Sequence, residues 1–101
     1  MGPVRAVLTM TVAEEDTGPF EKEWARVAAW VRDEPGCRRQ TLVRTSDPVP
    51  TYVITSDWDD AEAYRSFETS SRQDRETARL RALRTGAHMQ VMSIVDHWEK
   101  P

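Results

Sequence analysis

Apolar and polar residues alternate along the start of the chain. In VRAVLTMTV, residues 4–12, every second side chain is apolar and shares one face: Val4, Ala6, Leu8, Met10 and Val12. A period of two with β-branched residues predicts a β-strand. Two shorter runs, RQTLVRT at 39–45 and TYVIT at 51–55, flank the turn-forming sequence SDPVP and predict a hairpin.

A helical period replaces this alternation between residues 20 and 33. One stripe of apolar side chains at helical spacing contains Phe20, Trp24, Val27, Ala28 and Val31. The pattern predicts a helix with Thr17 as its N-cap, ended by the sequence Glu-Pro-Gly at 34–36.

The second half of the chain predicts two more helices and a final strand. Ser56 and Asp57 are good N-cap residues, so a helix is expected from about Trp58 until SSRQ interrupts it. A strongly charged helix is predicted from Arg72 to Arg84 and a long strand from Ala87 to Trp98.

This order of elements predicts an α+β fold with a ferredoxin-like split βαβ arrangement. Its four-stranded antiparallel sheet would carry helices on one face only. Val7, Thr9 and Thr11 would line the other face, which we do not expect to remain exposed to solvent. Stacking two such sheets would cover it, so we expect a homodimer, a dimeric α+β barrel.

Length, charge and cysteine content narrow the functional classes. The 101 residues fit one domain, and a net charge of −3 disfavours nucleic acid and anionic membranes as partners. Cys37 is the only cysteine, and no apolar run approaches 18 residues, so a cytoplasmic protein is expected. His88 and His97 lie nine residues apart without neighbouring ligands, so no metal site is predicted.

The stretch 34–71, EPGCRRQTLVRTSDPVPTYVITSDWDDAEAYRSFETSS, resembles the antibiotic biosynthesis monooxygenase family. The resemblance is carried by Pro-Gly-Cys before the second strand, an Asp-Pro turn, and Trp58 followed by Glu-Ala on a helix. With the flanking elements it covers 1–101 as a single domain. It implies a cofactor-independent monooxygenase that oxidises an aromatic polyketide-type phenol or anthrone to a quinone in antibiotic or pigment biosynthesis.

The same resemblance implies roles for two aromatic residues. Trp58 and Tyr64, six residues apart, would bind substrate oxygens in a pocket between sheet and helices, using an indole N–H and a phenolic hydroxyl. His88 is the candidate general base, with an exposed histidine at a strand end as the alternative. The residues expected to clasp the substrate are Phe20, Trp24, Val27, Phe67, Leu80 and Leu83. Arg79 is the candidate partner of a phenolate on an otherwise solvated helix face.

The chain departs from the family pattern on the helix after Trp58, where Phe67 and Glu68 replace the histidine and asparagine of other branches, and also before Trp58. Some members carry an asparagine four residues before the tryptophan; Ile54 stands there, and the chain contains no asparagine. Two alternatives therefore stay open. One is a polyketide cyclase or isomerase that uses the same pocket without oxygen. The other is a non-catalytic barrel that binds a small molecule and assists a partner enzyme.

Overall fold

The structure, a computed structural model that describes residues 2–101, forms four strands and four α-helices. A short 3-10 turn at Glu14–Asp16 precedes the first helix. In chain order the elements are β1 (Val4–Val12), α1 (Thr17–Val31), β2 (Cys37–Thr45), β3 (Thr51–Trp58), α2 (Ala61–Glu68), α3 (Ser71–Glu76), α4 (Ala78–Leu83) and β4 (Arg84–Ser93).

The strands form one antiparallel sheet in the order β2-β3-β1-β4, the arrangement of a ferredoxin-like fold. Register separates its two faces. Val4 lies opposite Trp58 on the face that the helices cover, whereas Arg5 lies opposite Asp57 on the open face. The predicted fold class and the alternation of β1 are confirmed.

β3 is longer than predicted, and this moves the start of α2. Trp58 is the last residue of β3 rather than the first of a helix, and Ser56 and Asp57 are strand residues rather than caps. The cap of α2 is Asp60, whose carboxylate accepts a hydrogen bond from the Ala63 N–H at 2.8 Å. Asp57 is held in the strand by Arg5, whose Nε lies 2.6 Å from its Oδ1.

The predicted charged helix is two short helices, and the last strand is shifted. Thr77 separates α3 from α4. β4 begins at Arg84 and ends at Ser93, so Gly86 lies inside it and His97 lies beyond it. A Cβ atom at Gly86 would stand 3.0 Å from the Thr11 Oγ1, so the glycine allows β4 to lie close to β1.

The ends of α1 also differ from the prediction. The helix includes Thr17, whose hydroxyl donates to the carbonyl of Glu14 at 3.0 Å instead of capping the helix. After the helix, Gly36 has a φ of +85°. A Cβ atom there would lie 2.7 Å from the Cβ of Ala63, so α2 packs directly on this turn.

The core between sheet and helices consists of two clusters. The Trp58 cluster has the buried residues Val4, Ala6, Val27, Val31, Trp58 and Tyr64, with Trp30 and Phe67 packed against it. The Tyr52 cluster has the buried residues Met10, Val12, Phe20, Tyr52 and Leu80, with Leu8, Trp24, Ile54 and Leu83 packed against it. A cavity lies where the two clusters meet, since residues of both line it.

Candidate functional site

The cavity has a volume of about 100 Å³ and lies between the sheet and all four helices. Its walls are mostly apolar: Ala6, Leu8, Trp24, Val27, Val31, Ile54, Trp58, Phe67, Leu80 and Met89. Five residues add polar groups: Gln40, Ser56, Tyr64, Gln73 and Thr77. An apolar cavity with few polar groups is typical of a site for a flat hydrophobic ligand.

Trp58 forms the centre of an aromatic group on this cavity. The side chain is fully buried, stacks on Phe67 with ring centroids 4.8 Å apart, and meets Tyr64 edge-on at 5.6 Å. Its indole N–H donates to the Ser56 Oγ at 2.9 Å, two residues back along β3. The indole N–H is therefore engaged, and Ser56 makes no hydrogen bond from its own O–H to any of residues 2–101.

Tyr64 lies on α2 and directs its hydroxyl toward β4. The hydroxyl donates to the Met89 Sδ at 3.8 Å, which is a weak acceptor. Burial raises the pKa of Tyr64, and the negative charge of Glu68 raises it further. Tyr64 therefore stays protonated at neutral pH and can donate a hydrogen bond to a ligand.

A wider recess of about 530 Å³, here called the vestibule, adjoins the cavity. The two share the residues Leu8, Tyr64, Gln73, Thr77, Leu80 and Met89. The vestibule also has four charged residues on its walls: Glu68, Asp74, Arg81 and Arg84. Sites for drug-sized ligands measure about 300–1,000 Å³, so the cavity alone is too small for a multi-ring ligand, which would have to extend into the vestibule.

The structure brings most of the predicted residues to one place. Trp24, Val27, Phe67 and Leu80 line the cavity beside Trp58 and Tyr64. Trp58 and Tyr64 reach the same cavity because Trp58 ends a strand; six residues within one helix would have separated their directions by about 240°.

Four predicted residues lie elsewhere. Phe20 is fully buried in the Tyr52 cluster, 4.5 Å from the Tyr52 ring, because it lies one turn away from Trp24 along α1. Leu83 packs against the same cluster, and Arg79 is exposed to solvent outside the cavity and the vestibule. His88 borders the vestibule, but its register opposite Thr9 places it on the open face of the sheet.

Several site residues did not stand out in the sequence. Ser56 follows the same two-residue alternation as Trp58, and this signal would have identified it had the strand been extended to Trp58. Gln40 lies opposite Ser56 on β2 and donates to the Ala28 carbonyl at 2.7 Å. Gln73 lies on α3 and Thr77 in the break between α3 and α4, and no pattern in the sequence indicates that break. Amide groups thus reach the cavity from glutamines in a chain without asparagine.

Other features of the described part of the chain are less suited to an apolar ligand. A recess of about 580 Å³ beside α2 is lined by four carboxylates: Glu34, Asp59, Asp60 and Glu62. Among residues 2–101, no three or more His, Cys, Asp or Glu side chains are arranged to hold a metal ion. No helix in those residues is long and apolar enough to cross a membrane.

Comparisons with known proteins agree with this architecture. The family model described as antibiotic biosynthesis monooxygenase matches residues 3–90. Deoxynogalonate monooxygenase of Streptomyces nogalater is 36% identical over 69 residues, which make up 68% of this chain but only 58% of that relative.

Solved structures extend the likeness to the whole fold. A mutant of SnoaB, a cofactor-independent oxygenase from Streptomyces nogalater, is 28% identical with a TM-score of 0.85, covering 99% of this chain and 100% of that one. A Mycobacterium tuberculosis protein at 17% identity shares the fold, with a TM-score of 0.82 over 97% of this chain and 100% of its own. With the family model matched from residue 3 to residue 90, the chain belongs to the antibiotic biosynthesis monooxygenase family.

Proposed function

We propose that the protein is a cofactor-independent monooxygenase that oxidises an aromatic polyketide-type phenol or anthrone to a quinone, in antibiotic or pigment biosynthesis. The observation that carries the proposal is the aromatic cavity lined by the hydroxyls of Ser56 and Tyr64, of which the Ser56 O–H has no acceptor among residues 2–101. Two relatives named as a monooxygenase and a cofactor-independent oxygenase support it.

The proposed reaction needs only substrate, dioxygen and a proton acceptor. The substrate first loses a proton to become an electron-rich anion, and that anion transfers one electron to dioxygen. The resulting radical and superoxide combine to form a C–O bond, giving a hydroperoxide. The hydroperoxide takes back the first proton, and loss of water then leaves the quinone: one oxygen atom stays on carbon, and the other leaves as water with two hydrogens of the substrate.

In this proposal the protein stabilises negative charge on the substrate oxygen. The Ser56 O–H, polarised by the indole N–H that it accepts from Trp58, donates to that oxygen, and Tyr64 donates from the other side. Trp58 thus acts through Ser56 rather than by direct contact of its N–H with the substrate. A low-polarity cavity strengthens both hydrogen bonds because water does not compete for them.

The remaining roles fall to residues around the rings and at the mouth. Trp24, Val27, Phe67 and Leu80 hold the rings between the sheet and the helices. We assign the proton acceptor to Glu68, since its carboxylate lines the vestibule and is near enough to raise the pKa of Tyr64. His88 lies on the open face of the sheet and is not given that role.

Oxygen uptake by metal-free protein on an anthrone tests the proposal, with products weighed by mass spectrometry. We expect uptake above the protein-free background and a product that has gained one oxygen atom and lost two hydrogens. Ser56→Ala should lower kcat at least tenfold, since loss of one donor to an oxyanion costs about a hundredfold to a thousandfold in kcat. Arg79→Gln, an exposed change on α4, is the matched control and should match the wild type.

Two results would reject the oxygenase. Cyclised product without oxygen uptake would establish the cyclase or isomerase. Quenching of tryptophan fluorescence by the anthrone with no product would establish the non-catalytic binding protein.

We also propose a homodimer formed through the open face of the sheet. Val43 and Met92 lie on this face and are 52% and 45% exposed, beside Val7 and Val53. Apolar surface of this kind is typical of an interface. Sedimentation should give twice the chain mass for the wild type and a lower mass for Val43→Arg; a monomeric wild type at micromolar concentration would reject the dimer.

A further inference from the structure

We propose that Arg84 forms a carboxylate subsite in the vestibule, so that the preferred substrate is an aromatic acid rather than its neutral ester. This inference rests on the proposed function for the ring-binding cavity, and it adds the chemical class of the substrate's side group. It concerns a residue outside the aromatic cavity, on the first position of β4.

The bonding of the arginines distinguishes Arg84 from the others. Six arginines have a carboxylate within 4.0 Å: Arg5, Arg26, Arg38, Arg39, Arg44 and Arg81. Of the remaining arginines, all of which lie within residues 2–101, only Arg84 is not exposed. Its Nη1 donates to the Met10 Sδ at 3.9 Å, which leaves a half-buried cation with a sulfur as its acceptor.

A guanidinium in this position is suited to a carboxylate. It carries five N–H donors in a planar fork, and a carboxylate accepts two of them in parallel. The alternative, a half-buried cation without an anion, costs solvation that the sulfur cannot replace. A ligand carboxylate would supply the missing partner.

The neighbouring charges do not neutralise Arg84 at close range. Of the two carboxylates on the vestibule walls, Asp74 accepts from Arg81 at 3.1 Å, and Glu68 lies at the Tyr64 side. Arg81 is further engaged with the Thr77 hydroxyl at 2.6 Å. Arg84 is therefore the cation on these walls that remains for a ligand.

The spacing along the sheet fits a ligand with two polar ends. Arg84 contacts Met10, and Tyr64 contacts Met89, which lies opposite Leu8. Leu8 and Met10 are two residues apart on one strand, so the two contact points are separated by roughly 7 Å. A fused-ring ligand spans such a distance, with its reacting oxygen near Tyr64 and its carboxylate near Arg84.

Binding of a non-reacting ligand pair tests the subsite without any need for turnover. The probes are anthraquinone-2-carboxylate and its methyl ester, measured by quenching of tryptophan fluorescence. We expect the wild type to bind the acid at least tenfold more tightly than the ester, because a charge-assisted bidentate pair is lost in the ester. Arg84→Gln should bring the ratio of the two Kd values to about one, and added salt should reduce the wild-type ratio.

Two further variants serve as controls for the loss of any arginine and for the loss of positive charge. Arg79→Gln removes an exposed arginine from the neighbouring helix and should keep the wild-type preference. Arg84→Lys keeps the charge without the planar fork and should retain part of the preference, even if the glutamine variant folds poorly. Equal affinity of the wild type for acid and ester, failure to bind either, or a preference that survives in Arg84→Gln would overturn the proposal.

The outcome is separable from that of the proposed function. A preference for the acid that depends on Arg84, without oxygen uptake on any anthrone, would keep the subsite and reject the monooxygenase. Oxygen uptake with equal rates for acid and ester anthrones would keep the monooxygenase and reject the subsite.

Discussion

Tyr52 and Tyr64 are both buried tyrosines under the same helical layer, yet their hydroxyls are bonded in different ways. The Tyr52 hydroxyl donates to the Glu21 carboxylate at 2.6 Å, and Arg44 lies over its ring at 5.7 Å. The Tyr64 hydroxyl donates to the Met89 Sδ at 3.8 Å, and the Glu68 carboxylate is near enough to raise its pKa. Tyr52 is therefore satisfied within the protein, whereas Tyr64 keeps a donor that a ligand can use.

The two clusters around these tyrosines differ in the same sense. In the Tyr52 cluster, Phe20 packs on Tyr52 with both side chains fully buried. In the Trp58 cluster, the aromatic rings of Trp58, Tyr64 and Phe67 adjoin the cavity and its polar groups. The comparison teaches that the packing of Phe20 on Tyr52 stabilises the fold, whereas the aromatic rings at the cavity are available for binding.

Truncation of one phenylalanine in each cluster gives the largest expected effect. Phe20→Ala removes a fully buried ring and should lower the free energy of unfolding by about 3–5 kcal/mol. Phe67 is only partly buried and borders the cavity, so Phe67→Ala should cost about 2 kcal/mol. Urea unfolding measures both values; equal losses would contradict the division of the core.

Removal of each hydroxyl separates binding from stability. Tyr64→Phe should lower kcat for anthrone oxidation roughly tenfold to a hundredfold, since it removes a donor to the reacting oxygen. Tyr52→Phe should leave kcat unchanged and lower the free energy of unfolding by about 1–3 kcal/mol, because Glu21 loses a partner. Steady-state oxygen uptake and urea unfolding of the same two preparations check this. A loss of kcat in Tyr52→Phe alone would show that Tyr52, rather than Tyr64, donates to the reacting oxygen.

Stability at alkaline pH gives the smallest expected effect. Burial and the bond to Glu21 raise the pKa of Tyr52 from 10.0 to about 12. Between these pH values the folded protein keeps a proton that the unfolded chain releases, so stability present below pH 10 falls as the pH rises. Tyr64, whose pKa is also raised, adds to the fall.

The Tyr52→Phe and Tyr64→Phe variants separate the contributions of the two tyrosines. Each should lose less stability than the wild type between about pH 9 and pH 11.5, as measured by urea unfolding. A fall in Tyr52→Phe as steep as that of the wild type would show that Tyr52 ionises as freely in the folded protein as in the unfolded chain.

Local patterns predicted the parts of the fold that depend on local spacing. The alternation of β1 and the order of elements follow from period and order along the chain, whereas the expectation that Trp58 and Tyr64 share one pocket came from the family resemblance. The end of β3 could not be predicted from local pattern, because Ser56 and Asp57 are as suitable for a helix N-cap as for a strand. Only Arg5, 52 residues away, decides for the strand.

The candidate site was less predictable because it depends on contacts between distant elements. Phe20 and Trp24 share one helical stripe, but a single turn of α1 sends them to different positions, one packed and one at the cavity. His88 is next to the cavity residue Met89 in the sequence. Its pairing with Thr9, however, places it on the open face of the sheet. Arg84 stands out only because no carboxylate among residues 2–101 lies within 4.0 Å of it, and the sequence alone does not show this.

Gly36 has a consequence for how the protein can vary. A side chain at this position would have to adopt an unfavourable backbone conformation and would also displace Ala63 from the first turn of α2. Tyr64 follows Ala63 directly, so that displacement would alter the ligand's surroundings. The place of Tyr64 at the cavity therefore depends on the absence of a side chain at Gly36, a residue that does not itself line the cavity.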